Sequence, residues 1–493
     1  MRARIAHLPA RLGAPLAIAA GAVVLRLIAG VGFANYDTLY ALSWGGQVAR
    51  GETPQYGIPI APTPHPLVEV LGVVLSPLSP SAIEGVGVAL GFLALSACGW
   101  VLYRLGSLWF GRAAGALAAL ILLTRVPILS YGVRAYVDIP YLLPVLCALL
   151  VEARHRRAGV PVLILLALAG LLRPEAWVFS GLYWLYLLDL LPARVLSWLP
   201  QRPAGEGPPR GRGELAKLTL LAACGPLLWI LSDYVITGQP MWSLTNTTHT
   251  ASTLDRKSGL HDVPVYIPKR IGEVLQATAL AAAAIGAVLS LLWLRSRALP
   301  GVVAGVLAVV IFAAFASVGL PIDTRYAFLA AAIGCVFAGA GAFGWTQLPP
   351  GDRKRPMWMA IGALIVLGLA ASTPSQYRTV HSELTKLARQ ETFQDDLVAL
   401  VEDGSITRRC LPVGVPNHAP IPLLALYLGT SPREIVSAEA SPITHGTYID
   451  PTSVEVEEDY VLDPHDPHLP VEVPPGFTEA HANSAWFIFE RCA

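Results

Sequence analysis

The feature of this sequence that most constrains its fold is the recurrence of long, nearly uncharged apolar stretches. Of the 493 residues, 54% are hydrophobic and only 14% are charged, whereas soluble domains carry about 25% charged residues. A helix needs about 20 apolar residues to cross the hydrocarbon core of a bilayer. The pattern therefore predicts an all-α polytopic membrane protein with about eleven transmembrane helices. The expected spans are residues 12–32, 83–103, 113–130, 139–152, 160–172, 176–191, 215–236, 274–294, 300–320, 326–346 and 357–373.

The distribution of basic residues gives these spans a direction. If the N-terminus is cytoplasmic, the loops on its side of the membrane hold about twice as many Arg and Lys residues as the opposite loops. Short loops rich in Arg and Lys stay in the cytoplasm, and an odd number of spans places the C-terminus outside. The sequence thus predicts a multi-pass protein of the plasma (inner) membrane with an extracytoplasmic C-terminal domain. The net charge of +1 indicates no nucleic-acid partner.

Two loops stand out between the predicted spans. The outer loop 33–82 contains the apolar stretch Leu67–Leu78, which is too short to span a bilayer and is expected to form an interfacial helix. The cytoplasmic linker 192–214 is rich in Pro, Gly and Arg and is expected to be flexible. These loops belong to the first of two predicted domains, a transmembrane domain over residues 1–373.

The second predicted domain is a small α/β unit over residues 374–493. Residues 378–403 have helical periodicity and end before a glycine. Short β-branched or aromatic runs follow at Val413–Val415, Glu434–Val436 and Trp486–Phe489. Cys410 and Cys492 lie near the two ends of this polar tail, where an oxidising compartment would favour a disulfide.

Several charged residues fall at the ends of predicted spans. Asp37 follows the first span, Asp138 opens the fourth, and Glu175 lies in a tight turn between two short spans. Each of these acids alone is more simply explained as an interfacial cap. Together, on one side of the membrane, they indicate a polar cavity that faces outward. Arg26, inside the first span, is expected to face the bundle interior in a salt bridge.

Basic residues occur at the same predicted level. Arg134, Arg173 and Arg325 could grip a phosphate, because guanidinium groups donate paired hydrogen bonds to phosphate oxygens. An equally good explanation of Arg325 is a structural ion pair with Asp323. His65 is held between two prolines on a stiff loop above the expected cavity.

These elements, taken in order, resemble the type-C membrane glycosyltransferase superfamily, near the protein O-mannosyltransferases and the lipid A aminoarabinose transferase. The resemblance covers residues 20–330, about two thirds of the chain. It is carried by Arg26-Leu27, Asp37 with Tyr40, Gly51-Glu52-Thr53-Pro54, His65-Pro66-Leu67, Asp138-Ile139-Pro140, Gly170-Leu171-Leu172-Arg173-Pro174-Glu175 and Arg325-Tyr326.

The resemblance implies an inverting transferase that moves a sugar from a polyprenyl-phosphate donor to a cell-envelope glycan, lipid or protein acceptor at the outer face of the lipid membrane. In this interpretation Asp37 and Asp138 are catalytic. The other expected residues are the phosphate contacts His65, Arg134, Arg173 and Arg325 and the cavity residues Tyr40, Glu175 and Tyr326. Many members have a second acid after the catalytic Asp, whereas this chain has Thr38. The sequence therefore requires no cofactor, although it leaves room for a divalent metal.

Two other functions compete with this one. A transporter or flippase of lipid-linked sugars would be expected to show inverted repeats and charges at the middle of the membrane. We find no such repeat, and the charges gather at one outer face. A non-catalytic relative that binds an envelope partner stays open because Thr38 replaces the second acid.

Overall fold

The computed structural model describes a chiefly helical protein with one small sheet near its C-terminus. The described residues are 13–192, 211–461 and 472–492. The basic N-terminal residues used to orient the spans (Arg2, Arg4 and Arg11) and most of the linker 192–214 lie outside these ranges.

The helices of the described ranges follow one another closely, with few long connections. They are α1 (Gly13–Ala29), α2 (Tyr36–Ala49), α3 (Pro66–Leu75), α4 (Pro80–Phe110), α5 (Arg112–Leu123), α6 (Val126–Val133), α7 (Asp138–Arg154), α8 (Val160–Gly170), α9 (Glu175–Leu187), α10 (Arg212–Thr237), α11 (Trp242–Thr253), α12 (Val263–Trp293), α13 (Arg295–Ser317), α14 (Phe328–Phe343), α15 (Lys354–Glu402), α16 (Ile421–Leu428) and α17 (Val454–Val456).

Six of the described helices are long and apolar enough to cross a membrane. They are α4, α10, α12, α13, α14 with its preceding turn, and α15. The bent pair α5–α6 would make a seventh, while α1, α3 and α8 are apolar but shorter. These helices support a polytopic membrane protein, and the larger number of about eleven spans stays a prediction.

The expected span 113–130 corresponds to two helices, α5 and α6, which are bent by 64° at a short break. Pro127 follows the break, and a proline is favoured at the start of a new helix rather than inside an old one. The buried Arg125 at the break donates from Nη1 to the carbonyl of Leu275 at 2.9 Å. Leu275 itself precedes a second break, at Gln276 of α12, where φ is +61°. One guanidinium thus satisfies a carbonyl that the broken helix leaves unpaired.

The last long helix joins the membrane domain to the tail. α15 has 49 residues and runs without interruption through the predicted domain boundary at 373/374. The tail beyond it carries a five-stranded sheet in the order β2-β1-β3-β5-β4. The strands are β1 (Val413–Val415), β2 (Ile435–Ser437), β3 (Gly446–Pro451), β4 (Thr478–Ala482) and β5 (Trp486–Arg491).

The sheet is mixed, with its central strand β3 parallel to β1 and antiparallel to β5. The three strands expected from sequence correspond to β1, β2 and β5. β3 and β4 were missed, and neither has a long apolar alternation. A disulfide joins Cys410 to Cys492 across a sequence separation of 82 residues, and it ties the start of the sheet region to the end of β5.

Candidate active site

The predicted polar residues converge on one cavity between the membrane helices and the tail. Its volume is about 740 Å³. Eight of the predicted site residues line it, namely Asp37, His65, Arg134, Asp138, Arg173, Glu175, Arg325 and Tyr326. Tyr40 was expected in the cavity as well, but it is fully buried behind the wall. Its ring packs edge-on against Tyr36, which lies in front of it and lines the cavity.

Asp37 owes its position to the way α2 begins. Asn35 caps this helix, since its side-chain oxygen accepts the backbone N–H groups of Asp37 (2.7 Å) and Thr38 (3.1 Å). The same Asn35 donates from its own backbone and side chain to the carbonyl of Arg134, each at 3.0 Å. Thr38 donates to the carbonyl of Ala135 at 2.8 Å. The helix start that presents Asp37 is therefore tied directly to the segment that presents Arg134.

The turn at Ala135 completes this tie. Its φ is +50°, a left-handed conformation that a non-glycine residue rarely adopts. This turn lets the chain leave α6 and enter α7 at once, so that Arg134 and Asp138 both reach the cavity. Such backbone conformations persist where the surrounding contacts impose them, and here the hydrogen bond from Thr38 does so.

The first charged group, which we name the Arg325 cluster, consists of Arg325, Asp37 and Asp323. Nη1 of Arg325 lies 3.0 Å from Oδ2 of Asp37, and Nη2 lies 3.4 Å from Oδ2 of Asp323. Both Arg325 and Asp37 keep part of their side chains accessible, 18% and 17%. The Asp323 pairing was one of the two explanations open from sequence, and the structure adds the bond to Asp37.

The second group, the Arg173 cluster, consists of Arg173, Asp138 and Glu175. Arg173 donates to Asp138 and, from Nη2 at 2.8 Å, to Oε1 of Glu175. All three side chains are at most 8% exposed. The guanidinium also stacks on the ring of Tyr326, 4.3 Å from the ring centre. The N–H groups of Arg173 are thus largely engaged in hydrogen bonds within the protein.

Arg134 differs from both of these arginines because no described carboxylate lies within ion-pair distance of it. Its Nη2 donates to the hydroxyl of Ser130 at 3.0 Å. Its guanidinium lies 4.9 Å from the ring centre of Tyr136 and 5.4 Å from that of Tyr131. Within the described part of the chain, it is the arginine of the predicted set whose positive charge is least compensated.

His65 lies between the two clusters, on the loop that precedes α3. Its Nδ1 is 2.8 Å from the carbonyl oxygen of Leu172, so Nδ1 carries the proton and donates. Burial lowers the pKa of His65 to about 4, and the nearby Asp37 carboxylate only partly opposes this shift. The ring is therefore neutral at physiological pH, and its Nε2 is a hydrogen-bond acceptor.

The side of the cavity next to the tail is formed by residues that the sequence analysis missed. Glu383, Lys386 and Gln390 of α15 line it, as do His418 and Tyr460 of the tail. A signal for the first three did exist, because positions 383, 386 and 390 recur at helical spacing and share one face. Nothing in the sequence pairs that face with the tail loops. Gln390 donates to the backbone carbonyl of Asp459, which fixes a tail loop over the cavity.

An apolar wall, interrupted by the buried Asp233 and its hydrogen-bonded partner Ser243, completes the cavity on the side of α10 and α11. Trp229 and Ile230 of α10 and Leu244 of α11 contribute to it, together with Trp177 of α9. The indole rings of Trp177 and Trp229 pack edge-to-face with their centres 5.6 Å apart. The cavity therefore has a charged side and a largely apolar side.

The described residues offer no set of three metal donors in this cavity. Within them, one group of three Cys, His, Asp or Glu ligand atoms lies close together, at Cys410, Glu490 and Cys492 in the tail. Two of these are joined in the disulfide. The cavity carboxylates Asp37, Asp138 and Glu175 instead face arginines. We therefore derive no chemical step through a metal.

Comparison with known proteins supports the fold. No protein-family model matches the chain, and no curated protein matches it in sequence. Among solved structures, ArnT from Cupriavidus metallidurans bound to undecaprenyl phosphate is similar, with a TM-score of 0.53 at 15% identity, over 97% of this chain and 98% of that one. The same protein in the apo state gives a TM-score of 0.50 at 16% identity, over 98% of each chain.

The oligosaccharyltransferase of Archaeoglobus fulgidus in the apo form is also similar. Its TM-score is 0.50 at 10% identity, over 86% of this chain and 64% of that one. At such identities the shared property is the fold. The sequence predicted a resemblance to membrane glycosyltransferases, and the comparison confirms it for the fold.

Proposed function

We propose that this protein is a membrane glycosyltransferase that moves a sugar from a polyprenyl phosphate to a hydroxyl-bearing acceptor of the cell envelope. One observation carries the proposal. Asp37 places one carboxylate oxygen on Arg325, at 3.0 Å, in a cavity that also holds a largely apolar wall and Arg134, which has no described carboxylate within ion-pair distance. An available carboxylate, a phosphate-binding cation and room for a lipid are the parts that this reaction needs.

The proposed reaction is a single displacement. The acceptor hydroxyl gives its proton to Asp37 while its oxygen forms a bond to the anomeric carbon of the sugar. The bond from that carbon to the phosphate oxygen breaks, and its electron pair stays on the polyprenyl phosphate. Attack opposite the leaving group inverts the anomeric configuration. No separate general acid is needed, because cations at the phosphate stabilise the developing charge.

The contacts favour Arg134 and Arg325 as the phosphate-binding cations. Arg134 has no carboxylate partner among the described residues, and Arg325 is accessible from the cavity. Arg173 was also expected to contact phosphate, but it is engaged by Asp138 and Glu175. We therefore assign the Arg173 cluster to holding the cavity wall, with Asp138 as a positioning residue.

The neutral His65 suits another role than phosphate binding. Because the N–H group of Nδ1 donates a hydrogen bond to the carbonyl oxygen of Leu172, Nε2 carries no proton. It can accept a hydrogen bond but cannot donate one to a phosphate oxygen. We propose that it accepts a hydroxyl proton of the sugar or of the acceptor.

The tail closes the cavity in this proposal and contributes to the entry of the acceptor. It lies on the outer side of the membrane in the orientation that the basic residues favour. The division into a transmembrane transferase domain and a tail domain is part of the same proposal, and α15 runs continuously from one into the other.

The substitution Asp37→Asn tests the proposal, because it keeps the size of the side chain and removes the base. We expect the rate of sugar transfer at saturating donor to fall by about 10²–10⁴-fold. Binding of undecaprenyl phosphate, used as a donor fragment, should remain. The measurement compares both quantities in purified protein, given a panel of radiolabelled polyprenyl-phosphate sugars.

The matched control is Asp403→Asn, an exposed tail carboxylate remote from the cavity. It should leave transfer unchanged. Transfer at the normal rate by Asp37→Asn would refute the assignment of the base. If the wild-type protein moved a lipid-linked sugar across the membrane of vesicles without transferring the sugar to an acceptor, the protein would be a flippase instead.

A further inference from the structure

A second cavity lies away from the proposed active site, on the lipid-facing side of α1. Its volume is about 590 Å³. Its walls come from α1, the first half of α4, and α15 where this helix meets the tail. We name it the lateral groove. It shares none of its lining residues with the active-site cavity.

The lateral groove contains a cation, Arg26, that forms no direct ion pair with a described carboxylate but acts electrostatically on Glu391. Arg26 lies in the last turn of α1 and is exposed, although the sequence predicted a salt bridge inside the bundle. It forms neither an ion pair nor a hydrogen bond with any described side chain. A β-carbon placed on Gly32 would lie 3.6 Å from Nε of Arg26, so the arm of the arginine crosses the segment after α1.

Three carboxylates face the same groove. Glu84 and Glu391 accept the backbone N–H groups of Ala34 (3.0 Å) and Gly32 (2.9 Å). Asp395 lies one helical turn after Glu391 on the same face of α15. It has no hydrogen-bond or ion-pair partner within the described ranges. The groove thus presents the guanidinium of Arg26 and the carboxylates of Glu84, Glu391 and Asp395, an excess of negative charge.

Apart from Ser81 and Gln394, the remaining lining of the groove is apolar. Val23, Val88, Phe92 and Leu93 contribute to it. Val23 is 59% exposed, and its neighbours Leu27 and Ile28 are 77% and 68% exposed. Exposed apolar side chains on such helices are covered by acyl chains in a bilayer. The polar end of the groove, next to the tail, is where a lipid head group would lie.

We propose that the lateral groove binds a phospholipid with a primary-amine head group, of the phosphatidylethanolamine type. Its phosphate lies against Arg26, and its ammonium group donates to Asp395 and to the free oxygen of Glu391. Its acyl chains run along α1 and α4. The excess of carboxylates would repel an anionic head group, and a choline head group has no N–H group to donate. The site is independent of the proposed transfer reaction.

Native mass spectrometry of the delipidated full-length protein tests the proposal. Phosphatidylethanolamine, phosphatidylcholine and phosphatidylglycerol with identical acyl chains are added at equal concentrations. We expect the wild type to bind phosphatidylethanolamine about tenfold better than the other two lipids, as one additional charge-assisted hydrogen bond implies.

Two substitutions separate the contacts. Asp395→Asn should abolish the preference for phosphatidylethanolamine over phosphatidylcholine. Arg26→Gln should weaken the binding of both of these lipids. Arg26→Lys should bind them better than Arg26→Gln does. Exposed residues outside the groove give the matched controls Asp403→Asn and Arg378→Gln, which should change nothing.

Equal binding of the three lipids by the wild type would overturn the proposal, because it would indicate ordinary boundary lipid. A preference for phosphatidylglycerol would overturn it in favour of an anionic lipid on Arg26 alone. A preference for phosphatidylethanolamine that survives both Asp395→Asn and Arg26→Gln would place the site elsewhere. Circular dichroism of each variant confirms that it is folded, so that lost binding reports on the groove.

Discussion

The Arg173 cluster and the Arg325 cluster have the same composition, one arginine between two carboxylates, and both guanidinium groups face the ring of Tyr326. Their surroundings differ. In the first, the side chains of Arg173 and Asp138 are 8% and 4% exposed. In the second, those of Arg325 and Asp37 are 18% and 17% exposed and reach the open part of the cavity.

This difference in exposure to the cavity determines what each cluster can do. A buried arginine that is shared by two carboxylates must stay there, because removing it would leave two unpaired charges away from water. An arginine at a cavity wall can exchange part of its pairing for a ligand phosphate. One arginine with two carboxylates therefore supports the fold in one place and, in the proposed reaction, is available for chemistry in the other.

The largest expected effect comes from breaking the buried member of the comparison. Arg173→Gln should destabilise the protein by about 3–5 kcal/mol, because Asp138 and Glu175 lose their shared cation. Thermal unfolding of the purified protein in detergent measures the loss. Arg50→Gln, which breaks an exposed pair with Glu52, is the control and should cost less than about 1 kcal/mol. Equal losses in the two variants would show that the Arg173 cluster is not a structural unit.

His65 gives a pH-dependent test of the region between the clusters. Its pKa of about 4 in the folded protein lies below its ordinary value of 6.5, so the unfolded chain binds more protons between these pH values. The contribution of the neutral His65 ring to the free energy of unfolding is therefore fully present above pH 6.5. It is lost as the pH drops towards 4, by up to about 3 kcal/mol.

The variant His65→Asn isolates this contribution, since it removes the titrating ring and keeps an N–H donor. Its free energy of unfolding should fall less than that of the wild type over the same pH range. The measurement is chemical unfolding of both proteins at several pH values. Parallel curves would show that His65 is not buried in its neutral form.

The smallest expected effect comes from the open member of the comparison. Arg325→Gln should lower stability by about 1 kcal/mol, because Asp37 and Asp323 remain accessible to water. It should weaken binding of undecaprenyl phosphate about tenfold, as the loss of one charged hydrogen bond implies. Binding and unfolding are measured on the same preparation. A loss of stability as large as that of Arg173→Gln, with unchanged binding, would reverse the distinction between the clusters.

Particular residues show how much of the site was predictable. The sequence placed Asp37, Asp138 and Glu175 at the ends of helical segments on one side, and all three line the cavity. It could not assign partners, because a contact such as Arg325–Asp37 joins residues separated by 288 positions. The same limit applies to Tyr40, whose place behind Tyr36 depends on how α2 is rotated against its neighbours.

The helices show a similar division. The long apolar runs of α4, α13 and α14 were recognisable, since composition alone makes them candidates for crossing a membrane. The breaks near Arg125 and Gln276 were not, because each break is stabilised by a hydrogen bond between distant segments. The polar first turns of α12 also hid that its helix begins at Val263, eleven residues before the predicted span.

By itself, the sequence determined that the chain is a polytopic helical protein with a small mixed tail, because apolar length and residue periodicity act locally along the chain. It also predicted which residues could bind a phosphate and activate a hydroxyl acceptor. Only the tertiary structure decided which arginine is buried between carboxylates and which reaches the cavity, that the tail lines the cavity, and that Arg26 is exposed. Those properties depend on burial and on distances between remote segments, and neither is encoded in local sequence.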